Sequence, residues 1–119
     1  MTKPKLISNI DDFNNIVTNS NKYYLIQITS SEDNDDCIRM DNQLHSDLSW
    51  IQDFNGSVIW CEIYSNDLLS DNNLELFHIF SNIKKFPTFF LLQGPAIIEY
   101  FSGGFKEELL HFIKKNISY

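Results

Sequence analysis

Two stretches constrain this chain most: Tyr23–Thr29 (Y-Y-L-I-Q-I-T) and residues 57–64 (S-V-I-W-C-E-I-Y). Both are rich in β-branched and aromatic residues, and both are too continuously apolar for a strand with one face in water. Each must be a central strand covered on both sides. Between them, Met40, Leu44, Leu48 and Ile51 recur at helical spacing, predicting one helix from Cys37 to Ile51. A strand, a helix and another strand in succession imply a parallel pair with a covering helix. At 119 residues the chain is long enough for one domain with a real core and too short for two, so a single domain is expected over residues 1–119.

The remaining elements extend this frame. Residues 5–7 read as a short edge strand. Ser8 and Asn9 offer capping oxygens to a helix that carries Ile10, Phe13, Ile16 and Val17 on one face. Asn55-Gly56 is a turn signal. A shorter helix is expected over residues 74–80, then a loop over 82–86 ending at Pro87. Residues 88–92 and 97–100 read as strands joined through Gln93-Gly94-Pro95-Ala96, a hairpin. Gly103-Gly104 breaks the chain before a last helix over Lys106–Asn116. The expected order is β-α-β-α-β-α-β-β-α: an α/β fold with a mixed sheet flanked by helices.

Charge excludes several functions. The net charge is −7 and Arg39 is the sole arginine, so no basic stripe exists to neutralise phosphates and direct nucleic-acid binding is not expected. No run of about 18 apolar residues is present, which argues against a membrane span. The opening M-T-K-P-K-L-I-S-N-I is too polar for a secretory leader. Cys37 and Cys61 are the only cysteines, too few for a disulfide framework, and an intracellular, cytoplasmic or nuclear setting is expected.

Three segments, taken in order, resemble the thioredoxin family. Phe86-Pro87-Thr88 followed by F-F-L-L-Q-G is similar to the family's segment in which a cis-proline precedes Thr and an apolar strand. I-I-E-Y-F-S-G-G-F-K-E-E-L-L-H-F-I resembles its last strand, glycine and final helix. Cys37-Ile38-Arg39-Met40 stands where the family places its redox motif, at the start of the second helix. The resemblance covers essentially the whole chain and implies the thioredoxin fold. The Cys-x-x-Met pattern is similar to that of the thioredoxin-like domains preceding glutaredoxin domains in multidomain monothiol glutaredoxins. C-I-R-M-D-N-Q-L-H-S is also similar to the helix start of the spliceosomal thioredoxin-like protein.

The departure from the family lies in E-D-N-D-D-C, residues 32–37. Family oxidoreductases carry Trp-Cys-Gly-Pro-Cys here. With Cys37 as the second cysteine, Asn34 occupies the attacking position, Asp35 and Asp36 lie between, and Asp33 replaces the tryptophan. If Cys37 is matched one place differently, a neighbouring residue takes the attacking position, and only one cysteine remains either way. The family's buried acid falls near Ile28, which moves no proton. Resolving a mixed disulfide takes a second thiol, so dithiol exchange is not expected. A helix N-terminus favours a thiolate at Cys37, but Glu32, Asp33, Asp35 and Asp36 together oppose it.

Neither a metal nor a cofactor is expected. Asp33-x-Asp35 opens like a calcium loop, but Ile38 and Leu44 stand where the turning glycine and bidentate glutamate would be needed. His45, His78 and His111 fall on three separate predicted helices without ligand spacing. Cys61 reads as buried packing. In the resembled fold the cis-proline and redox loops adjoin, so Asn34, Asp35, Asp36, Cys37, Phe86, Pro87 and Thr88 are the expected binding surface, acidic on one side and aromatic on the other. The expected partner is a protein or extended peptide, and the acidic side favours a basic one. Three functions stay open: a non-catalytic adaptor, a monothiol redox protein acting through Cys37, and a structural subunit of a complex such as the spliceosome.

Overall fold

The computed structural model describes residues 3–54 and 56–117. Five strands, β1 (Lys5–Leu6), β2 (Tyr23–Thr29), β3 (Val58–Tyr64), β4 (Thr88–Gln93) and β5 (Ala96–Ser102), form one sheet in the order β1-β3-β2-β4-β5. β3 pairs parallel with β1 and β2, while β4 runs antiparallel to β2 and β5. The two apolar runs are thus the inner strands. β1 is an edge strand, as expected, and the β4–β5 hairpin supplies the antiparallel edge.

Strand alternation divides the core in two. Leu25, Trp60, Phe89 and Leu91 face one cluster, completed by Met40 and Leu44 of α2 (Asp35–Ser46) and by Leu109, Phe112 and Ile113 of α6 (Lys106–Asn116). Ile26, Ile28, Cys61, Ile63 and Phe90 face the other, against Phe13 of α1 (Ile10–Ile16) and Leu76 of α5 (Leu74–Ile79). α1 opens as expected, with Asn9 Oδ1 accepting from the Asp12 amide at 2.8 Å. Of the expected Asn55-Gly56 turn, Asn55 lies outside the described residues. Gly56 has φ +75°, the left-handed region that favours glycine.

The single helix expected from Cys37 to Ile51 is in fact two. α2 ends at Ser46, Asp47 adopts an extended backbone, and α3 (Ser49–Gln52) begins after Leu48. Asp47 Oδ1 accepts from the Ser49 amide at 2.9 Å, which holds the break. Periodicity missed it because Leu48 and Ile51 pack into the same cluster as Met40 and Leu44. α2 also begins two residues earlier than expected. A short helix α4 (Ser65–Leu68) and a 3-10 turn (Asp71–Asn73) before α5 were not anticipated either; both are too short to show a period.

Candidate functional site

Register brings the expected site residues to one end of the sheet. Ile28 of β2 faces Thr88 of β4, and Thr29 faces Tyr64 of β3. The loop leaving β2 therefore starts beside the segment entering β4, where the Phe86–Pro87 peptide is cis. Two hydroxyls pin this loop to the end of β3: Ser31 N donates to Ser65 Oγ, and Asn66 N donates to Ser31 Oγ, both at 2.9 Å. Sequence reasoning did not single out Ser31 or Ser65.

Asn34 caps α2. Its Oδ1 accepts from the Cys37 amide at 3.0 Å, satisfying a backbone donor that the first helical turn leaves free. Cys37 is only 4 % exposed, and neither cysteine is in a disulfide. Asp35 and Asp36 occupy the first turn, where their charge complements the helix dipole. Asp36 forms an ion pair with Arg39, whose Nε donates to the Gly104 carbonyl at 3.0 Å and whose guanidinium lies 4.1 Å over the Phe105 ring. Gly104 must be small: a Cβ there would sit 2.6 Å from Arg39 Nη2 and 3.0 Å from the Asp36 side chain. Arg39 thus ties the start of α2 to the turn before α6. Asp36 is exposed but paired, which leaves Glu32, Asp33 and Asp35 as the exposed carboxylates of the loop without an ion pair among the described residues.

Beneath α2 the structure refines one expectation. Ile28 packs in the cluster on the opposite face, and the buried residue facing α2 is its neighbour Gln27. Gln27 Nε2 donates to Asp41 Oδ1 of α2 at 2.8 Å, while its Oε1 accepts from Trp60 Nε1 at 3.0 Å. All of its hydrogen-bonding roles are structural, and an amide exchanges no proton with a thiol at neutral pH. Glu62, further along β3, is held above its ordinary carboxylate range, first by burial and then by the charge of Asp41; a hydrogen bond with Tyr64 acts the other way. A carboxyl whose folded value is raised contributes stability below the ordinary 4.5 and loses it as pH rises through the folded value. Glu62→Gln is therefore expected to raise the melting temperature near neutral pH, with the gain shrinking in acid. Thermal scans across pH check this; a pH-independent change would refute it.

Burial pushes the Cys61 thiol up to about 12, with Lys5 acting weakly in the other direction. The side chain is fully enclosed in β3. Native protein should leave Cys61 unlabelled by a thiol reagent at mildly alkaline pH, while unfolded protein labels at both cysteines. The same shift means that Cys61 withdraws stability as pH rises from 9.0 towards 12, because only the unfolded chain ionises there. Alkaline unfolding followed in parent and Cys61→Ala reads that loss directly.

Phe86 is half-buried, whereas Pro87 and Thr88 are buried. The Thr88 hydroxyl donates to the Lys85 carbonyl at 2.7 Å and lies 2.7 Å from Ser102 Oγ. Gly103 N donates to the Pro87 carbonyl at 3.3 Å, joining the proline segment to the turn that also receives Arg39.

A five-stranded sheet of this order with helices on both faces defines a protein of thioredoxin fold. Solved thioredoxin structures agree. The thioredoxin of Malassezia sympodialis superposes with a TM-score of 0.73 over 98% of this chain and 92% of its own, at 16% identity. Spinach chloroplast thioredoxin f, in its short form, gives 0.73 over 98% and 95%, at 20% identity. Oxidised Plasmodium falciparum thioredoxin gives 0.71 over 98% and 100%, at 15% identity. No family model matches the chain, and no curated protein matches it in sequence.

Proposed function

We propose that this chain is a thioredoxin-like binding module without a dithiol site, and that it holds an extended, basic segment of a protein partner against the exposed carboxylates before and at the start of α2 and the half-buried Phe86. Of the expected surface, Cys37, Pro87 and Thr88 are buried and lie beneath it. One observation carries the reading: the side chain of Asn34, which the resemblance matches to the attacking cysteine, is engaged as the cap of α2. Cys37, left without a second thiol at the site, is buried, and Gln27 offers it no base. Ordinary disulfide exchange therefore lacks its attacking thiol and its proton acceptor, and Cys37 has no second thiol with which to close a disulfide. What the loop presents to a visitor is charge, from Glu32, Asp33 and Asp35, with the half-buried Phe86 as the aromatic side. Two free, buried cysteines fit a reducing cellular compartment.

Fluorescence anisotropy with a short extended Lys/Arg-rich peptide tests this. Binding should weaken with added salt, since the carboxylates are exposed. Each contributes roughly 0.2–1 kcal/mol, so neutralising all three to amides should weaken affinity on the order of tenfold. Equal affinity for an acidic peptide of the same length would overturn the reading.

A further inference from the structure

On the face of the sheet away from α2, the β4–β5 hairpin and the 81–85 segment enclose a cavity of about 660 Å3, within the size range of small-molecule sites. Its floor comes from strand pairing: Thr88 lies opposite Ser102 and Phe90 opposite Tyr100, so all four side chains share one face. Its wall carries Lys84 and Lys85. The wall is set in place from both sides. Asn82 turns the chain in the left-handed region at φ +66°, and Thr88 spends its hydroxyl proton on the Lys85 carbonyl. Ser102 is then the donor of the 2.7 Å bond between the two hydroxyls, and it fixes Thr88 in turn.

The charge of this cavity is opposite to that of the molecule. The chain has 16 acidic and 9 basic residues, yet no acidic residue is among those lining the cavity and two lysines are. Lys84 and Lys85 are exposed, and neither has an ion-pair partner among the described residues. The aromatic component is equally open. Tyr100 is 60% exposed, lines the cavity and packs at 5.8 Å and 34° on the buried Phe90, which supports its ring from one side.

From this juxtaposition we infer a binding site for a small aromatic anion, its ring against Tyr100 and its phosphate or carboxylate between Lys84 and Lys85. Two ammonium groups make charge-assisted hydrogen bonds to such an oxyanion, and a ring face rewards a planar ligand. The cavity includes none of the residues of the acidic loop at the head of α2; Thr88, from the expected binding surface, contributes to its lining, and the inference does not depend on the function proposed for that surface.

The test is an amide chemical-shift titration of the full chain with phenyl phosphate, compared with inorganic phosphate and with phenol. Saturable shifts are expected at Lys84, Lys85, Thr88, Tyr100 and Ser102, with about tenfold weaker binding of either half-ligand alone. The double substitution Lys84→Gln and Lys85→Gln, at exposed positions, should preserve the folded spectrum and weaken phenyl phosphate by about tenfold or more. Tyr100→Ala should weaken phenyl phosphate while leaving inorganic phosphate unchanged. Absence of saturable shifts, an unchanged affinity in the lysine variant, or equal affinity for inorganic phosphate would overturn the inference.

Discussion

Asn34→Cys is expected to turn this protein into a disulfide reductase. The introduced thiol would sit at the cap of α2, half-exposed, three residues before the buried Cys37. It can attack a client disulfide, release one client thiol and form a mixed disulfide. Cys37 then displaces the second client thiol and closes an intramolecular disulfide, which dithiothreitol reduces. Because the resolving step is intramolecular, the initial rate of insulin reduction should rise by at least about tenfold over the parent. Besides the missing base at Gln27, two effects work against it. The lost amide cap costs roughly 0.5–2 kcal/mol of stability, and Asp35 and Asp36 disfavour thiolates beside them. Both slow the variant without removing its pathway. Loss of two free thiols on oxidation, checked by mass, reports the new disulfide; a variant that keeps both thiols would show that residues 34 and 37 are not placed as a dithiol.

Trp60→Ala is expected to cost about 3–5 kcal/mol, a large share of a typical domain's 5–15 kcal/mol. Trp60 is 1% exposed, packs edge-on against Trp50 at 5.0 Å and lies 4.9 Å from the His45 ring. Truncation opens a cavity between α2 and the sheet, and it also deprives Gln27 Oε1 of its donor. The melting temperature should fall on the order of 10–20 °C. Trp60→Phe separates the contributions: it keeps most of the ring and loses the hydrogen bond, for roughly 1–3 kcal/mol. A loss below about 1 kcal/mol for Trp60→Ala in chemical denaturation would mean that the Gln27–Trp60 contact does not anchor α2 to the sheet.

The parts of the fold most legible in the sequence were those set by long apolar patterns. Tyr23–Thr29 and residues 57–64 could only be inner strands, and they are β2 and β3. The final helix, with Leu109, Phe112 and Ile113 on one face, kept its expected bounds. Short polar devices were less legible. The break at Asp47 depends on one side chain capping its neighbour, a signal that the apolar spacing of Leu44, Leu48 and Ile51 concealed. Gln27 and Ile28 show a second limit. Counting along the chain locates a position to within a residue, while strand alternation sends adjacent side chains to opposite faces, so only the sheet decides which lies under α2. At the site, the glycines at 103 and 104 were visible as a break, but the Arg39–Asp36–Gly104 clasp joins positions 65 residues apart and leaves no local mark. The cavity wall at Lys84 and Lys85 escaped for the same reason: an ordinary loop in sequence gains its meaning from the hairpin that folds against it.

The central claim is that the fold is kept while the dithiol chemistry is not. Insulin reduction in dithiothreitol, followed by turbidity for the parent chain and for Cys37→Ser, tests it most directly. The account predicts that both proteins leave the rate of dithiothreitol alone unchanged. Clear acceleration by the parent, abolished in Cys37→Ser, would contradict it and assign the chemistry to Cys37.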